Sequence, residues 1–391
     1  MRAPQRPILI ALALSLGAAI SLGISRFSYA LLLPAMRGDL DWTYFLAGAM
    51  NTANAAGYLC GALLTPWLMR RLGAQAALVG GAILTGIFML LSGFVTDATL
   101  LLAQRVLAGI ASAFIFISGG VLAARLGTQH PQRAGFLIGL YYGGTGFGIT
   151  LSALLVPVSI EAAASRGVPH TWQWAWLGLG AACLVATLLM AGPARHIDGT
   201  MPAGGAKSGA HIGRLGYGLA GYFMFGTGYI GYMTFVIALL REQGMAPGTV
   251  TLFYAMLGLA TVASSRIWAH MLDRYKGGQP MSVLNGLLAC ATLLPVLSAH
   301  PAAVFASGIV FGGVFLSVVA STTALVRHNL PHEAWSAGIS AFTTIFALGQ
   351  IVGPSIVGWI SDSAGGLQRG LVFSAVALFL GALLASRQKP L

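Results

Sequence analysis

Residues 8–33 read ILIALALSLGAAISLGISRFSYALLL, and this run contains a single charged side chain, Arg26. About twenty apolar residues in a helix cross a bilayer, and the segment must be helical because its backbone N–H and C=O groups find no water in hydrocarbon. Similar runs recur along the whole chain. We predict twelve spans, at about 8–33, 43–68, 75–95, 98–124, 134–158, 172–192, 214–240, 248–271, 281–299, 302–326, 336–360 and 370–386.

The composition indicates that a membrane is the solvent. Of 391 residues, 57% are hydrophobic and 8% are charged, which leaves too little polar surface for a water-soluble globule. A β-barrel is excluded, because its strands would alternate polar and apolar residues. The first run is too long for a secretory signal and no small-residue cleavage site follows it, so we expect it to be kept as the first helix. The prediction is an all-α membrane protein with twelve transmembrane helices.

Lysine and arginine residues divide unevenly between the two sides of the predicted bundle. If both termini are cytoplasmic, the outside loops hold only Arg37, Arg166, Arg241 and Arg369, while most of the others lie in inside loops and tails. The positive-inside rule then predicts a multi-pass protein of the bacterial inner membrane with both termini in the cytoplasm. Contact of this basic rim with membrane lipids explains the formal net charge of +12, and nucleic acid is not an expected partner.

A polar interval divides the chain into two related parts. Residues 193–213 are rich in Pro, Gly, Lys and Ser and are predicted to be a cytoplasmic linker between six-helix bundles at 1–192 and 214–391. A glycine pattern recurs 210 residues apart, as Gly139, Gly143, Gly144 and Gly148 and then as Gly349, Gly353, Pro354 and Gly358. Small residues let helices approach closely, and proline bends a helix. We expect Gly143, Gly353 and Pro354 to act in gating; tight packing alone is the alternative, and both can hold.

Four motifs resemble those of the major facilitator superfamily. They are GISRFSYALLLPAM at 23–36, RVLAG at 105–109, WAHMLDRYKGG at 268–278 and GQIVGPSIVG at 349–358. The first and third of these are similar to the YbfB/YjiJ-type branch. The resemblance covers the full length and implies a fold of two pseudo-symmetric six-helix halves and secondary active transport by alternating access.

The resemblance also implies a gate at the cytoplasmic ends of the helices. Asp273 and Arg274 match the family's loop motif between helices 8 and 9, whose aspartate is thought to latch that side. The equivalent loop after helix 2 reads GALLTPWLMRRLG at 61–73, with Thr65 where the family has its aspartate. We therefore expect the latch to depend on the second half alone.

Three arginines lie inside predicted spans, where charge is costly and marks functional candidates: Arg26, Arg105 and Arg266. Arg266 is close to a cytoplasmic end and shares a helix face with Asp273, so a structural ion pair is expected there. At 1.5 Å per residue, Arg26 and Arg105 each lie roughly 9 Å from the bilayer centre on the same side. Helices 1 and 4 line the cavity of the resembled fold, so the two guanidinium groups are expected to converge on one anion through bidentate hydrogen bonds. The alternative is that each reaches the membrane surface or binds carbonyl groups of a neighbouring helix.

All nine acidic residues are predicted to lie in loops or at helix ends. A buried carboxylate of the kind that carries protons or holds cationic substrates is therefore not expected. Eight histidines and three cysteines form no metal-binding spacing, so no metal or other cofactor is predicted. These observations favour an organic anion as the substrate, with protons as a candidate coupling ion.

Polar and aromatic side chains supply the rest of a predicted substrate pocket. Asn51, Asn54 and Tyr58 form one stripe on helix 2, and Tyr29 follows Arg26 by one helical turn. The other predicted pocket residues are Tyr142, Tyr229, Tyr232, Tyr254 and Gln350. Tyrosine can pack against a ligand and donate a hydrogen bond to its carboxylate, although interhelical packing is an equal alternative for any single tyrosine. Trp172, Trp174 and Trp176 are expected to form an aromatic belt.

The sequence therefore predicts a monomeric secondary transporter of a small, carboxylate-type organic anion. No nucleophile with a base, carboxylate pair or metal cluster lies within the spans, so an enzyme is not expected. No phosphate-binding GxxxxGK[ST] loop occurs, so ion or substrate gradients supply the energy. The alternative is efflux of drugs or other hydrophobic compounds, which the aromatic residues favour and the missing acid disfavours.

Overall fold

The computed structural model describes residues 6–197, 212–331 and 334–391, and helices dominate all three ranges. No β-strand occurs in that part of the chain, which confirms the all-α class. The helices are α1 (Pro7–Ala18), a π-helical segment (Ala19–Phe27), α2 (Tyr29–Asp39), α3 (Tyr44–Leu72), α4 (Ala74–Ser92), α5 (Ala98–Gln129), α6 (Ala134–Ala164), α7 (Trp172–Ala194), α8 (Gly216–Glu242), α9 (Pro247–Ile267), α10 (Ala269–Arg274), α11 (Gln279–Leu297), α12 (Pro301–Asn329), α13 (Trp335–Ser361) and α14 (Gly366–Ser386).

The number of membrane spans agrees closely with the prediction. Eleven stretches of the described residues are long and apolar enough to cross a membrane, so this is a multi-pass membrane protein. The predicted span at 43–68 corresponds to α3, which is 29 residues long but is not among the eleven. Asn51, Thr52 and Asn54 lie in its first half and lower its hydropathy. The difference therefore reflects polar side chains within α3 and not a missing helix.

The first span is not one regular helix. Its middle part, Ala19–Phe27, is a nine-residue π-helical segment that separates α1 from α2. A π-helix is rare and occurs mostly as a single widened turn, often at a functional site. The predicted span at 8–33 lies within a single apolar stretch, Pro7–Asp39, but the π-helical form of its middle part was not predicted, because the local sequence does not reveal the contacts made with neighbouring helices.

The eighth span is also interrupted. Helix α9 ends at Ile267, and the short α10 begins at Ala269. The indole nitrogen of Trp268, between them, donates a hydrogen bond of 2.8 Å to the carbonyl oxygen of Gly313. The WAHMLDRYKGG motif at 268–278 therefore begins at a break in the helix. The sequence had predicted one continuous span from residue 248 to residue 271.

The described residues group into two compact units that only partly follow the predicted halves. Unit 1 comprises Met1–Trp42, Ala53–Pro202 and Pro247–Val262, and unit 2 comprises Thr43–Thr52, Ala203–Ala246 and Ala263–Leu391. The beginnings of α3 and α9 thus each group with residues of the other half. Most of the predicted linker at 193–213 lies outside the described residues, and the predicted domain boundaries remain a prediction.

Hydrogen bonds within unit 2 hold the beginning of α3. The carboxylate of Asp362, at the end of α13, accepts from the backbone nitrogens of Tyr44 and Phe45 at 2.7 and 2.8 Å. The Tyr44 hydroxyl also binds the carboxylate of Glu242. A carboxylate at a helix N-terminus accepts hydrogen bonds from the unpaired N–H groups there, and its negative charge interacts favourably with the helix dipole. These bonds explain why residues 43–52 belong to unit 2.

Glycines bring helix backbones into direct contact in both units. In unit 1, a Cβ on Gly144 would lie 1.9 Å from the carbonyl oxygen of Ser15, and one on Gly148 would lie 2.5 Å from that of Ala19. In unit 2, a Cβ on Gly349 would lie 2.5 Å from the carbonyl oxygen of Phe223. Helices α6 and α13 therefore pack in the same way against α1 and α8, the first helices of the two predicted halves.

The packing at Gly144 generates the first prediction. Gly144→Ala forces α1 and α6 apart, and we expect a loss of about 2 kcal/mol of stability, measured as a lower melting temperature in detergent. The matched control is Gly80→Ala, because a Cβ there meets nothing within 4 Å and alanine favours the helix. Equal melting temperatures for the two variants would contradict the close contact.

Candidate functional site

The Arg26 side chain is buried within unit 1 and only partly satisfied. It extends from the π-helical segment, is 2% exposed, and lies over the ring of Tyr58 in α3, 5.6 Å from the ring centroid. Its Nε and Nη2 atoms are buried and have no hydrogen-bond partner in the described part of the chain. Burying unpaired guanidinium nitrogens is costly, so this side of Arg26 lacks acceptor atoms that a ligand can supply.

Arg105 in α5 is equally buried but is held by protein groups. Its Nη1 atom donates a hydrogen bond of 2.7 Å to the carbonyl oxygen of Ser25. Its guanidinium also lies over the rings of Tyr29 and Trp176, 5.2 and 5.6 Å from their centroids. Cation–π contacts and a charge-assisted hydrogen bond stabilise a desolvated guanidinium. The structure therefore gives Arg105 several partners that Arg26 lacks.

The two positive charges are neighbours. Arg105 binds the carbonyl of the residue that precedes Arg26, and the two guanidinium groups repel each other electrostatically. Two of the described acids of unit 1 bind groups other than these guanidiniums. Asp97 caps α5 through the Leu100 nitrogen, and Asp39 binds His170 and Trp172. Within the described residues, Arg26 makes no ion pair, so unit 1 contains a buried site of positive charge.

The predicted stripe on helix 2 divides between the two units. Tyr58 lies under Arg26, and the Asn54 side-chain nitrogen donates to the carbonyl oxygen of Arg105 at 3.3 Å. Asn51 belongs to unit 2, where its side-chain nitrogen donates to the hydroxyl of Thr234 at 2.8 Å. Of the predicted pocket residues, the structure thus brings together Arg26, Tyr29, Asn54, Tyr58 and Arg105.

Two further predicted pocket residues lie in unit 1. The Tyr254 hydroxyl, on α9, donates a hydrogen bond of 2.7 Å to the carbonyl oxygen of Phe27 at the end of the π-helical segment. Tyr142, on α6, is 38% exposed, and its ring packs 5.5 Å from that of Phe116 and 5.0 Å from that of Tyr141. Tyr254 is therefore bound to the backbone beside Arg26, whereas Tyr142 presents an accessible ring.

Within unit 2, the predicted pocket residues form a polar and aromatic group. The side-chain nitrogen of Gln350 donates to the hydroxyl of Tyr229 at 2.7 Å, and the hydroxyls of Tyr232 and Ser307 lie 2.6 Å apart. The Tyr229 ring stacks on Phe225, with the centroids 4.8 Å apart. Their part in substrate binding remains a prediction.

The predicted gating residues differ in how tightly they pack. A Cβ on Gly353 would lie 2.4 Å from the carbonyl oxygen of Thr227, whereas one on Gly143 would meet only Val262, at 3.6 Å. The backbone of Pro354 touches Gly48, where a Cβ would lie 2.2 Å from the Pro354 carbonyl oxygen. Asp273 and Arg274 are exposed on α10. Gating by any of these residues remains a prediction.

Trp176 is a site residue that sequence reasoning missed. It was expected in an aromatic belt, but it is 1% exposed and its ring packs against Arg105. Trp174, by contrast, is 41% exposed. The signal was available in the spacing, because Trp172 and Trp176 are four residues apart and share a helix face, while Trp174 points elsewhere. Among the described residues, no three His, Cys, Asp or Glu side chains form a metal-binding group.

Comparison with known proteins assigns the family. Residues 18–386 match the model of a family described as uncharacterised MFS-type transporter YbfB. The chain belongs to this family. The resemblance drawn from the sequence motifs is thereby confirmed, and the protein is a transporter of the major facilitator superfamily.

Curated relatives and a solved structure agree with this assignment. A putative tartrate transporter of Agrobacterium vitis is 25% identical over 376 residues, covering 89% of this chain and 83% of the relative. A probable sulfoacetate transporter of Cupriavidus necator is 24% identical over 401 residues, covering 94% and 90%. The fold is similar to that of a bacterial homologue of the human lysosomal transporter Spinster, with a TM-score of 0.73, 14% identity and coverage of 98% and 96%.

The contrast between the two arginines generates the second prediction. Arg26→Met removes an unpaired buried charge and is expected to stabilise the ligand-free protein by about 1–3 kcal/mol. Arg105→Met leaves the Ser25 carbonyl without its donor and is expected to destabilise it by a similar amount, about 1–3 kcal/mol. Thermal unfolding in detergent without added anions measures both. A lower melting temperature for Arg26→Met would mean that Arg26 is a structural group.

Proposed function

We propose that this protein is a secondary transporter that moves a small carboxylate-type organic anion across the bacterial inner membrane by alternating access. Both termini lie in the cytoplasm, as the distribution of Lys and Arg favours. Arg26 binds the substrate carboxylate, and Arg105 adds positive charge beside it. Protons are the candidate coupling ion, and they would travel with the substrate or through a group other than a carboxylate, since no Asp or Glu lies in the middle of a long helix in the described part of the chain.

The unsatisfied edge of Arg26 carries this proposal. In a guanidinium group, the Nε–H and Nη2–H bonds on one side point in parallel, and a carboxylate accepts both at once in a bidentate pair. These are the two atoms of Arg26 that are buried without a partner. A carboxylate would restore two charge-assisted hydrogen bonds and neutralise one of the two neighbouring charges. A neutral or cationic ligand would do neither.

The surroundings of Arg26 suit an organic anion. The Tyr58 ring packs against the guanidinium and offers an apolar surface beside the charge. Burial in low dielectric strengthens the attraction between a guanidinium and a carboxylate. The names of the two curated relatives, a tartrate and a sulfoacetate transporter, also denote small organic anions. Because the identities are only 25% and 24%, these names support a class of substrate and not one compound.

A second candidate is efflux of apolar compounds. It is favoured by the aromatic group in unit 2, where the Tyr229 ring stacks on Phe225, Phe346 and Phe315 with centroid distances of 4.8, 5.5 and 6.1 Å. An apolar drug can pack on such a surface without needing Arg26. The two candidates therefore differ in their dependence on Arg26.

A ligand screen gives the third prediction. At about a hundred times its Kd, a ligand stabilises the folded protein by about 2.7 kcal/mol. We expect tartrate, sulfoacetate or another small carboxylate to raise the melting temperature of the wild type. Arg26→Ala should abolish the shift, because truncating one partner of a buried charge pair costs about 2–5 kcal/mol of binding.

The control variant lacks an exposed arginine in place of the buried Arg26. Arg166→Ala removes an exposed arginine and should leave the ligand-induced shift intact. If only neutral or cationic compounds stabilise the protein, and equally in the wild type and Arg26→Ala, then the anion proposal fails and efflux is the better assignment.

A further inference from the structure

Carbonyl groups of the π-helical segment are bound by side chains from two helices, α5 and α9. The carbonyl oxygen of Ser21 accepts from the Ser112 hydroxyl at 2.6 Å, and that of Ser25 accepts from Arg105 at 2.7 Å. The Phe27 carbonyl oxygen accepts from Tyr254 at 2.7 Å. Backbone carbonyls inside a membrane must be satisfied, and π-helices are rare. These hydrogen bonds from α5 and α9 therefore stabilise the π-helical form of the segment.

Tyr254 differs from the other donors in its position. Ser112 and Arg105 both lie on α5, which belongs wholly to unit 1. Tyr254 lies on α9, whose first part belongs to unit 1 and whose residues from Ala263 belong to unit 2. Its side chain is fully buried, and its hydroxyl binds the carbonyl of the residue next to Arg26. One hydrogen bond within unit 1 therefore connects the backbone at Phe27, next to Arg26, to α9.

We propose that Tyr254 is a positioning residue for anion binding, which holds the end of the π-helical segment so that the Nε and Nη2 edge of Arg26 faces the ligand. This inference rests on the proposed function, because it takes Arg26 as the anion-binding group. A π turn contains more residues than an α turn, so a change between the two forms rotates Arg26 about the helix axis. The hydroxyl of Tyr254 fixes which form is present at Phe27.

The packing of Gly23 against α6 explains why a change of helical form would move the Arg26 side chain. A Cβ on Gly23 would lie 2.6 Å from both the Cα of Gly148 and the carbonyl oxygen of Thr145. The segment is therefore in contact with the α6 backbone and cannot simply shift sideways. If the bond at Phe27 is lost, the remaining freedom is a change of helical spacing between Gly23 and the start of α2.

The test compares two buried tyrosines that donate to backbone carbonyls. Tyr254→Phe removes the hydroxyl and keeps the ring. The matched control is Tyr141→Phe, because the Tyr141 hydroxyl donates to the Phe116 carbonyl oxygen at 2.8 Å from an equally buried ring. The Tyr141 hydroxyl also lies 3.4 Å from the Ile115 carbonyl oxygen. Both variants lose a hydroxyl that is bound to a backbone carbonyl, and we expect their melting temperatures to fall by similar amounts.

Binding and hydrogen exchange then separate positioning from stability. With tartrate and sulfoacetate as probes, Tyr254→Phe should raise the Kd about tenfold, the value of one hydrogen bond, while Tyr141→Phe changes it less than about twofold. Amide hydrogen exchange of residues 19–28 should rise in Tyr254→Phe alone. A second variant, Ser28→Ala, removes the hydroxyl bond to the Ile24 carbonyl and should weaken binding in the same direction.

Three results are distinguishable. Weaker anion binding with faster exchange in Tyr254→Phe and Ser28→Ala, but not in Tyr141→Phe, supports the inference. If the probes bind Tyr254→Phe and Tyr141→Phe equally while Arg26→Ala loses them, the positioning role is wrong and the proposed function stands. If Arg26→Ala binds the probes as the wild type does, both are overturned.

Discussion

The hydrogen bond from Arg105 to the Ser25 carbonyl is the contact on which the architecture of unit 1 most depends. A guanidinium buried in lipid-spanning helices must have partners, and Arg105 finds one in a carbonyl of the π-helical segment and others in two aromatic rings. The same contact fixes α5 against the first span. Because Ser25 is bound by Arg105, the next residue, Arg26, is placed beside it with its Nε and Nη2 atoms unsatisfied in the described part of the chain.

Close packing makes this arrangement possible. There is no hydrophobic driving force between helices in lipid, so they associate through van der Waals contact and polar bonds. Gly144 and Gly148 remove the side chains that would separate α6 from α1 and the π-helical segment. The serines Ser21 and Ser112 then bind each other across α5 and that segment. Unit 1 therefore packs closely around two positive charges, and the Nε and Nη2 atoms of Arg26 have no partner in the described part of the chain.

Much of the candidate site was predictable because charge in a membrane is conspicuous in a sequence. Arg26, Arg105, Tyr58 and Asn54 are found together in unit 1. Trp176 was missed, because a tryptophan near a span end is typical of an aromatic belt and its contact with Arg105 depends on how α7 packs. The grouping of Asn51 with unit 2 was missed too, because α3 reads as a single stripe whereas Asp362 binds its beginning.

The sequence by itself determined that the chain is helical, that it crosses the membrane many times, and that its charges within the spans are positive. These properties follow from composition and spacing, since lipid admits only segments that satisfy their own backbone. Only the tertiary structure decided that the first span widens into a π-helix and that Arg105 is satisfied while Arg26 is not. The physical reason is that hydrogen bonds from neighbouring helices, which join residues distant in sequence, select both the backbone form and the partners of each guanidinium.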